Sequence, residues 1–319
     1  MMKEQIPVIA VVGPTASGKT GLAVKLAEEF DAEVLSFDSM QLYKGMDVAT
    51  AKPTEDETHG IPHHMISAVD PLETYSVARY QQDAARIIED IRTRGKNVVM
   101  VGGTGLYLDT VMQNITFLDG GDNTEVRDQL KKELEENGID ALYAELQSVD
   151  PEYAERISKS NAVRVMRALE VYRMTGYTMS YQISRSHEKT SPYRPFYIGL
   201  NARNRDVLYD RINLRVDLMI QEGLLEEARV FQESGVGSTA AQAIGIKEMM
   251  PYLNGSASLE DCTEKLKLDT RHYAKRQLTW FRRNQDVHWL FLDDYEDKAQ
   301  LYDAAVQLIK NEEFLDERR

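Results

Sequence analysis

Residues 13–20 have the types and the spacing of a phosphate-binding turn. Their sequence, GPTASGKT, fits the pattern G-x-x-x-x-G-K-[ST], in which backbone N–H groups surround phosphate oxygens. The lysine neutralises phosphate charge, and the final hydroxyl, that of Thr20, is a ligand for Mg²⁺. The sequence therefore predicts a site for a diphosphate or a triphosphate formed by Gly13, Thr15, Ala16, Ser17, Gly18, Lys19 and Thr20.

Asp38 is the second candidate, because it follows the apolar run 32–37 directly. A carboxylate at a strand end can act as a general base, join a Mg²⁺ site or cap the next loop. The apolar run Asn97–Val101 ends in glycine, although an NTPase commonly places the acid of its Mg²⁺ site at such a strand end. The sequence also has no Asn-Lys-x-Asp segment that would read guanine. Both absences count against an ATPase and a GTPase.

The elements that position these residues alternate between strand and helix. Apolar runs at Ile6–Val12, 32–37 and Asn97–Val101 are typical of buried parallel strands. Residues 20–29 and 77–94 have apolar side chains at helical spacing. This order predicts an α/β fold with a parallel sheet flanked by helices, in which ligands bind at the carboxyl ends of the strands.

The pattern changes after about residue 115. Residues 123–190 contain several helical stretches and no convincing buried strand, and 184–195 is rich in turn-forming residues. Strand patterns resume at 196–200 and 288–292. We therefore predict a core formed by residues 1–114 and 196–319, interrupted by an all-helical insertion domain at 115–195.

Composition limits the class of protein further. Apolar residues make up 42% of the 319 residues and charged residues 28%, which is enough for a packed core. No apolar run approaches the roughly 20 residues of a membrane span, and the N-terminal apolar stretch is too short for a secretory signal. A single cysteine, Cys262, excludes an internal disulfide. We expect a cytoplasmic protein and, since nothing requires a partner subunit, a monomer.

Charge is unevenly distributed along the chain. The net charge of −14 argues against nonspecific binding to nucleic acid. Residues 119–155 hold 12 acidic and 3 basic side chains, whereas 156–215 hold 12 basic and 4 acidic, and 264–283 hold 7 basic and 2 acidic. A basic zone in an acidic protein can bind an anion locally while the remainder limits stray binding.

Several segments together resemble one family. They are GPTASGKT (13–20), DSMQLYKGMDVATAKP (38–53), VGGTGLYLDTV (101–111), NAVRVMRALEVYRMTG (161–176) and RHYAKRQLTWFRR (271–283). In order and over nearly the whole chain they closely resemble the bacterial tRNA dimethylallyltransferases, or tRNA isopentenylpyrophosphate transferases. The resemblance implies a P-loop NTPase-like core. It also implies transfer of a dimethylallyl group from dimethylallyl diphosphate to N6 of the adenosine 3′ to the anticodon, in tRNAs that read codons starting with U.

The resemblance further implies how the prenyl donor is held. The phosphate-binding turn would hold the diphosphate, with Mg²⁺ as the cofactor bound to Thr20. Lys19 and an arginine of the segment RINLRV (211–216) would stabilise negative charge on the leaving group. Of its two arginines we choose Arg211, and Arg215 is the second choice.

For the acceptor, the resemblance implies that Asp38 is the general base that takes a proton from N6. Thr104 would contact the reacting adenosine or its leaving group, or alternatively would only cap the helix that begins near residue 106. The adenine must be flipped out, because N6 is inaccessible within the stacked anticodon loop.

The remaining candidates are contacts to the tRNA anticodon stem-loop. On helical wheels, Arg164 and Arg167 lie opposite an apolar face, and Arg271 and Lys275 lie together on the last long helix. With the loop that matches the family's base-reading segment, the predicted tRNA contacts are Asp38, Ser39, Met40, Gln41, Thr104, Arg164, Arg167, Lys247, Arg271, Lys275 and Arg276.

Two other functions stay open on the sequence. A P-loop small-molecule kinase would use ATP and Mg²⁺, with Asp38 activating an acceptor hydroxyl. The missing strand-end acid and the long basic insertion count against it. A noncatalytic, nucleotide-gated RNA-binding protein would bind tRNA without forming a product, and it leaves the placement of Asp38 and Thr104 unexplained.

Overall fold

The computed structural model describes residues 5–117, 124–186, 190–235, 237 and 239–315. The strands are β1 (Ile6–Val12), β2 (Ala32–Ser36), β3 (His63–His64), β4 (Asn97–Val101), β5 (Tyr193–Asn201) and β6 (Val287–Phe291). The helices are α1 (Lys19–Glu29), α2 (Glu55–Thr58), α3 (Val77–Thr93), α4 (Gly105–Met112), α5 (Thr124–Val149), α6 (Pro151–Arg156), α7 (Ala162–Thr175), α8 (Met179–Ser186), α9 (Arg205–Gln221), α10 (Leu224–Ser234), α11 (Ile246–Leu253), α12 (Leu259–Phe281) and α13 (Lys298–Asn311).

The chain divides into two compact units. The first comprises Met1–Met112 and Pro192–Arg319, and the second comprises Gln113–Ser191. The turn-rich stretch predicted at 184–195 lies partly outside the described residues, at 187–189. None of the helices that the structure describes is long and apolar enough to cross a bilayer.

The first unit contains a six-stranded sheet in the order β3-β2-β4-β1-β5-β6. Every neighbouring pair is parallel, which confirms the predicted α/β fold with a parallel sheet flanked by helices. Strand β4 lies between β1 and β2, so that its Val101 is level with Val11 of β1 and Ser36 of β2. The segments that follow these three strands therefore leave the same edge of the sheet side by side.

Side chains of β1 explain why this edge is firmly supported. Val8, Ala10 and Val12 point to one face of the sheet and belong to a large apolar cluster, while Ile9 and Val11 point to the other face. All five are completely buried. A strand covered on both faces reads as the continuous apolar run that the sequence shows.

Strand β5 is longer than the sequence predicts. It begins at Tyr193 and includes Pro195, so the boundary predicted at 195 places three strand residues in the insertion, which is wrong. Pro195 is level with Val8 of β1, but β6 begins only opposite Tyr197. Since proline has no N–H to donate, it suits this position, where the strand has a neighbour on one side only.

The second unit is all-helical over its described residues, 113–117, 124–186 and 190–191, as predicted. Leu142 and Leu146 of α5 pack with Val165 and Leu169 of α7 in a separate apolar core. Helix α5 is interrupted at Gly138, whose positive φ of 74° is not a helical value and is readily adopted by glycine.

Candidate functional site

A cavity of about 300 Å³ lies in the first unit, where the segments after β1, β2 and β4 meet side chains of α9 and α12. Its polar lining consists of Thr15, Lys19, Thr20, Asp38, Ser39, Gln41, Thr50, Arg215, Gln242, Lys247, Thr270, Tyr273, Arg276 and Gln277. Its apolar lining consists of Met40, Ala49, Ala51, Val101, Val216, Met219, Ile244 and Leu266. The cavity thus joins a polar part to an apolar part.

The P-loop (residues 13–20) contributes Thr15, Lys19 and Thr20 to the cavity wall. A Cβ atom on Gly13 would lie 2.4 Å from the carbonyl oxygen of Leu200, so this position requires glycine. Of the other predicted phosphate ligands, Ser17 and Gly18 border a separate cavity, and Gly13 and Ala16 border neither. The predicted contribution of these four to phosphate binding stays a prediction.

Two cationic side chains face one another in the cavity. Burial and, after it, the charge of Arg215 lower the pKa of Lys19 to about 7, while the carboxylate of Asp38 acts in the opposite direction. Burial also lowers the pKa of Arg215. The Lys19 ammonium donates to the carbonyl of Pro14 at 2.6 Å. Two cations in one enclosure disfavour each other, and a polyanion such as diphosphate would relieve this repulsion.

Arg211, our first choice for contacting the diphosphate, does not line this cavity. Its Nε donates to the carbonyl oxygen of Ala16 at 2.8 Å, and the side chain borders a second cavity with Ser17 and Gly18. Arg215 follows one helical turn later and donates from Nη1 to Oγ1 of Thr15 at 3.3 Å. Arg211 thus contacts the P-loop backbone beside the second cavity, whereas Arg215 borders the first cavity, and which of the two contacts a diphosphate stays a prediction.

Asp38 uses one carboxylate oxygen for structure. Its Oδ1 accepts hydrogen bonds from the backbone N–H groups of Met40 at 2.9 Å and Gln41 at 3.4 Å. The other oxygen, Oδ2, lies 3.8 Å from the position that a Cβ on Gly103 would take. Asp38 therefore caps its own loop with one oxygen and keeps the second on the side of the glycine turn (residues 102–105).

Thr104, in the glycine turn, is held against the loop after β2. Its hydroxyl donates to Oγ of Ser39 at 3.1 Å and accepts from the backbone N–H of Ser39 at 3.0 Å. Ser39 borders the cavity, whereas Thr104 does not. The contact of Thr104 with the adenosine therefore stays a prediction, and the bond that the structure shows fixes Ser39. Tyr273 lies beside Thr104, and burial, followed by the charge of Asp38, raises the pKa of its phenol.

The loop between β2 and α2 forms a firm wall of the cavity. Gln41 donates from Nε2 to the carbonyl oxygen of Thr50 at 3.2 Å and accepts at Oε1 from the hydroxyl of Ser36 at 3.2 Å. Both ends of its amide are therefore engaged within the protein, which argues against direct reading of a base by this side chain. Met40 supplies apolar surface to the cavity instead.

Glu227 of α10 holds the same loop by its backbone. Its carboxylate accepts hydrogen bonds from the N–H groups of Asp47, Val48 and Ala49, each at 2.8 Å. Charge-assisted bonds of this kind are among the stronger ones in proteins. This residue could not be predicted as part of the site, because a glutamate among other acidic residues of an amphipathic helix carries no signal of a distant partner.

The predicted tRNA contacts fall into different environments. Lys247 and Arg276 line the cavity, and Lys275 is exposed on the neighbouring part of α12. Arg271 is not free on the same surface, because its Nη1 donates to Oδ1 of Asn213 at 2.7 Å. The contact of both residues with tRNA stays a prediction.

Two further predicted contacts belong to the second unit, on helix α7. Arg164 and Arg167 are both exposed there, on the side opposite the buried Val165 and Leu169. Arg167 pairs with the buried carboxylate of Glu170 at 2.5 Å.

Gln277 borders the cavity but is not among the predicted site residues. The side chain of this residue is buried on the face of α12 that also carries Leu266 and Tyr273. It bonds to the backbone of both the P-loop and the glycine turn. A glutamine on an otherwise apolar helical face was the available signal, since buried polar groups need partners.

Oxygen ligands for a metal ion are few. Among the residues that the structure describes, no group of three or more His, Cys, Asp or Glu side chains could hold an ion. The cavity offers the hydroxyl of Thr20 and the carboxylate of Asp38. The hydroxyl of Thr20 fits Mg²⁺, which keeps several waters and is often bound largely through the phosphates of a substrate, so Asp38 is not required as a ligand.

The contrast between the two arginines gives a testable prediction. Arg215→Gln should weaken binding of inorganic diphosphate about 10- to 100-fold, because hydrogen bonds to charged groups contribute about 1.5 to 3 kcal/mol. Arg211→Gln, as the matched control, should lower the thermal midpoint of unfolding with a much smaller loss of affinity. Titration calorimetry in the presence of Mg²⁺ measures the diphosphate affinity of each variant, and thermal unfolding measures the midpoint. Equal losses of affinity would contradict the assignment of Arg215.

Known proteins similar to this chain belong to one family. The sequence profile of the family described as IPP transferase matches residues 41–284. The tRNA dimethylallyltransferase of Thermoanaerobacter sp. (strain X514) is 48% identical over 299 residues, 93% of this chain and 95% of that protein. The corresponding protein of Bacillus mycoides (strain KBAB4) is 45% identical over 94% of both chains.

Solved structures agree with the sequence relatives. The crystal structure of a full-length tRNA isopentenylpyrophosphate transferase from Bacillus halodurans is similar at a TM-score of 0.71, with 40% identity over 98% of this chain and 99% of that one. A eukaryotic dimethylallyltransferase described as acting on tRNA is similar at a TM-score of 0.81, with 31% identity over 98% of this chain and 80% of that one. With these relatives and a profile that matches most of its length, the chain belongs to the IPP transferase family.

Proposed function

We propose that this protein transfers the dimethylallyl group of dimethylallyl diphosphate to N6 of the adenosine 3′-adjacent to the anticodon, in tRNAs that read codons starting with U. The product is N6-isopentenyladenosine. The observation that carries the proposal is one cavity lined by the cationic Lys19 and Arg215, the carboxylate of Asp38 and a set of apolar residues. Family membership supports the same reaction.

The donor's diphosphate would bind to Thr15, Lys19, Thr20 and Arg215. Cleavage of the bond between the allylic carbon and the diphosphate oxygen leaves additional negative charge on the diphosphate. Cations fixed in an enclosed site stabilise that charge without reorganising during the reaction. Mg²⁺ held by the diphosphate and by the hydroxyl of Thr20 would add further positive charge there.

The dimethylallyl group would occupy the apolar part of the cavity. Val216 and Met219 of α9 and Leu266 of α12 are buried residues of this part, and Ile244 adds to it. Water excluded from this surface cannot compete with the nucleophile for the allylic carbon. Membership of the IPP transferase family disfavours the small-molecule kinase.

On the acceptor side, N6 would attack the allylic carbon and lose a proton to Asp38. An exocyclic amine is a weak nucleophile, and a carboxylate that accepts its proton makes the attack easier. Because Oδ1 is engaged by Met40 and Gln41, the acceptor oxygen would be Oδ2. The loop bonds of Asp38 hold this oxygen in place before the substrate arrives.

For tRNA binding, Lys247 and Arg276 would contact the RNA where the base enters the cavity, and Lys275 would contact a phosphate nearby. Arg164 and Arg167 would contribute phosphate contacts from the helical insertion domain. Cations in these positions give an acidic protein local affinity for RNA. The eukaryotic structure described as acting on tRNA supports this partner.

The proposed reaction is tested by isotope transfer. Purified protein, Mg²⁺ and unmodified tRNA are incubated with labelled dimethylallyl diphosphate, and in parallel with ATP labelled at the γ-phosphate. We expect label in the RNA from the prenyl donor only. Consumption of ATP without prenyl transfer would support the kinase, and tRNA binding without any product would support the noncatalytic RNA-binding protein.

Replacing the proposed base gives a second prediction. Asp38→Asn keeps a carbonyl oxygen for the N–H groups of Met40 and Gln41 but cannot take up a proton. We expect turnover to fall about 10²- to 10⁴-fold, the range of general-base contributions, with tRNA affinity unchanged. Single-turnover rates and filter binding measure the two quantities. Turnover equal to that of the unaltered protein would eliminate Asp38 as the base.

Salt dependence tests the contacts on α12. Lys275→Ala should reduce the slope of log K against log salt concentration by about 0.7 to 0.9, the value for one phosphate contact. Arg271→Ala should change the slope less, because Arg271 is bonded to Asn213. Lys265→Ala is the matched control, since Lys265 pairs with Asp269 on the same helix. An unchanged slope for Lys275→Ala would show that this surface does not contact RNA.

A further inference from the structure

The buried side chain of Gln277 connects two loops of the cavity. Its Oε1 accepts a hydrogen bond from the backbone N–H of Thr15 at 2.8 Å, and its Nε2 donates to the carbonyl oxygen of Gly103 at 3.1 Å. The residue is only 4% exposed, so both ends of the amide depend on these partners. Gln277 thereby joins the P-loop after β1 to the glycine turn after β4.

The contact with the glycine turn is unusually close. A Cβ on Gly103 would lie 2.0 Å from Nε2 of Gln277 and 3.8 Å from Oδ2 of Asp38. Only glycine allows this approach. The same turn residue therefore borders both the amide of Gln277 and the free oxygen of the proposed base.

Backbone bonding between the two strands ends just before this point. The N–H of Gly102, just after β4, bonds to the carbonyl oxygen of Val11 in β1 at 3.4 Å. Beyond this bond, β1 continues into the P-loop and β4 into the glycine turn. Gln277 spans this gap from α12, with one bond to each loop. Among the described residues, Gln277 is the one whose side chain bonds to the backbone of both the P-loop and the glycine turn.

We propose that Gln277 is a positioning residue that sets the distance between the diphosphate held by the P-loop and the adenine held beside Asp38. This inference rests on the proposed function. Although Gln277 borders the cavity, both of its polar ends are engaged by backbone groups, so it acts through the two loops. Reaction between two bound groups is sensitive to their separation, and a displacement of about 1 Å can cost about 100-fold in rate.

The position of Gln277 on α12 adds a consequence for RNA binding. Tyr273, one turn earlier, borders the cavity, and Lys275 and Arg276 lie in the intervening turn as proposed RNA contacts. One helix therefore carries both the link between the loops and the surface proposed to bind RNA.

The test uses two substitutions of nearly the same size. Gln277→Met removes both hydrogen bonds, and we expect kcat to fall about 100-fold with little change in the KM of either substrate. Gln277→Glu keeps an acceptor for Thr15 but, when ionised, sets an oxygen against the carbonyl of Gly103. Protonation makes the glutamate a donor again and restores the lost bond.

The pH profile separates positioning from a general loss of stability. We expect the ratio of kcat for Gln277→Glu to kcat for the unaltered protein to rise as pH falls from 8.5 to about 6, because burial raises the pKa of a carboxyl group. The ratio for Gln277→Met should be independent of pH. The other ionisable residues of this cavity are common to all three proteins, so their own titration enters both terms of each ratio: Lys19, Asp38, Arg215, Lys247, Tyr273 and Arg276.

Leu259→Ala provides the matched control for packing of α12. Leu259 lies at the opposite end of this helix from Gln277, packs against the large apolar cluster and does not border the cavity, so this variant should lower the unfolding midpoint while kcat of the folded protein stays near normal. Unchanged kcat in Gln277→Met, or a flat ratio for Gln277→Glu, would overturn the positioning role. No transfer by the unaltered protein would instead defeat the proposed function.

Discussion

The placement of β4 between β1 and β2 is the constraint on which the site depends. Parallel strands end at a common edge, and a strand inserted between two others brings three loops into contact there. One loop is suited to a diphosphate, one contributes a carboxylate, and the middle loop is a glycine turn narrow enough to let them approach.

Electrostatics then give the cavity its direction. Lys19 and Arg215 are both buried in this cavity, where each positive charge disfavours the other. An anionic group is therefore favoured beside these two cations, and the apolar residues of the same cavity favour a hydrocarbon group.

The parts of the fold that depend on neighbouring residues could be predicted. Strand ends, the P-loop and Asp38 follow from short apolar runs and from what comes directly after them, and the structure contains these elements. Arg211 and Arg215 are four residues apart on one helix, so choosing between them requires the position of α9 along its axis relative to the P-loop. No local pattern contains this information.

Other features depend on contacts between distant parts of the chain. The bond between Thr15 and Gln277 joins residues 262 positions apart, and Glu227 reaches the loop at 47–49 from 180 positions away. Such partners are set by the packing of α10 and α12, which a single sequence does not reveal. The start of β5 was missed for a different reason, because Pro195 within a strand is a signal against strand structure.

The helical insertion has an apolar core of its own, and within the described residues this core shares no side chain with the clusters that cover the sheet. Ion pairs within this unit include those of Arg173 with Glu133 and Glu145. Evolution can therefore alter the surface of this module without changing the packing that fixes the cavity. On the proposed function, selectivity among RNA molecules could then change separately from chemistry at the bound base.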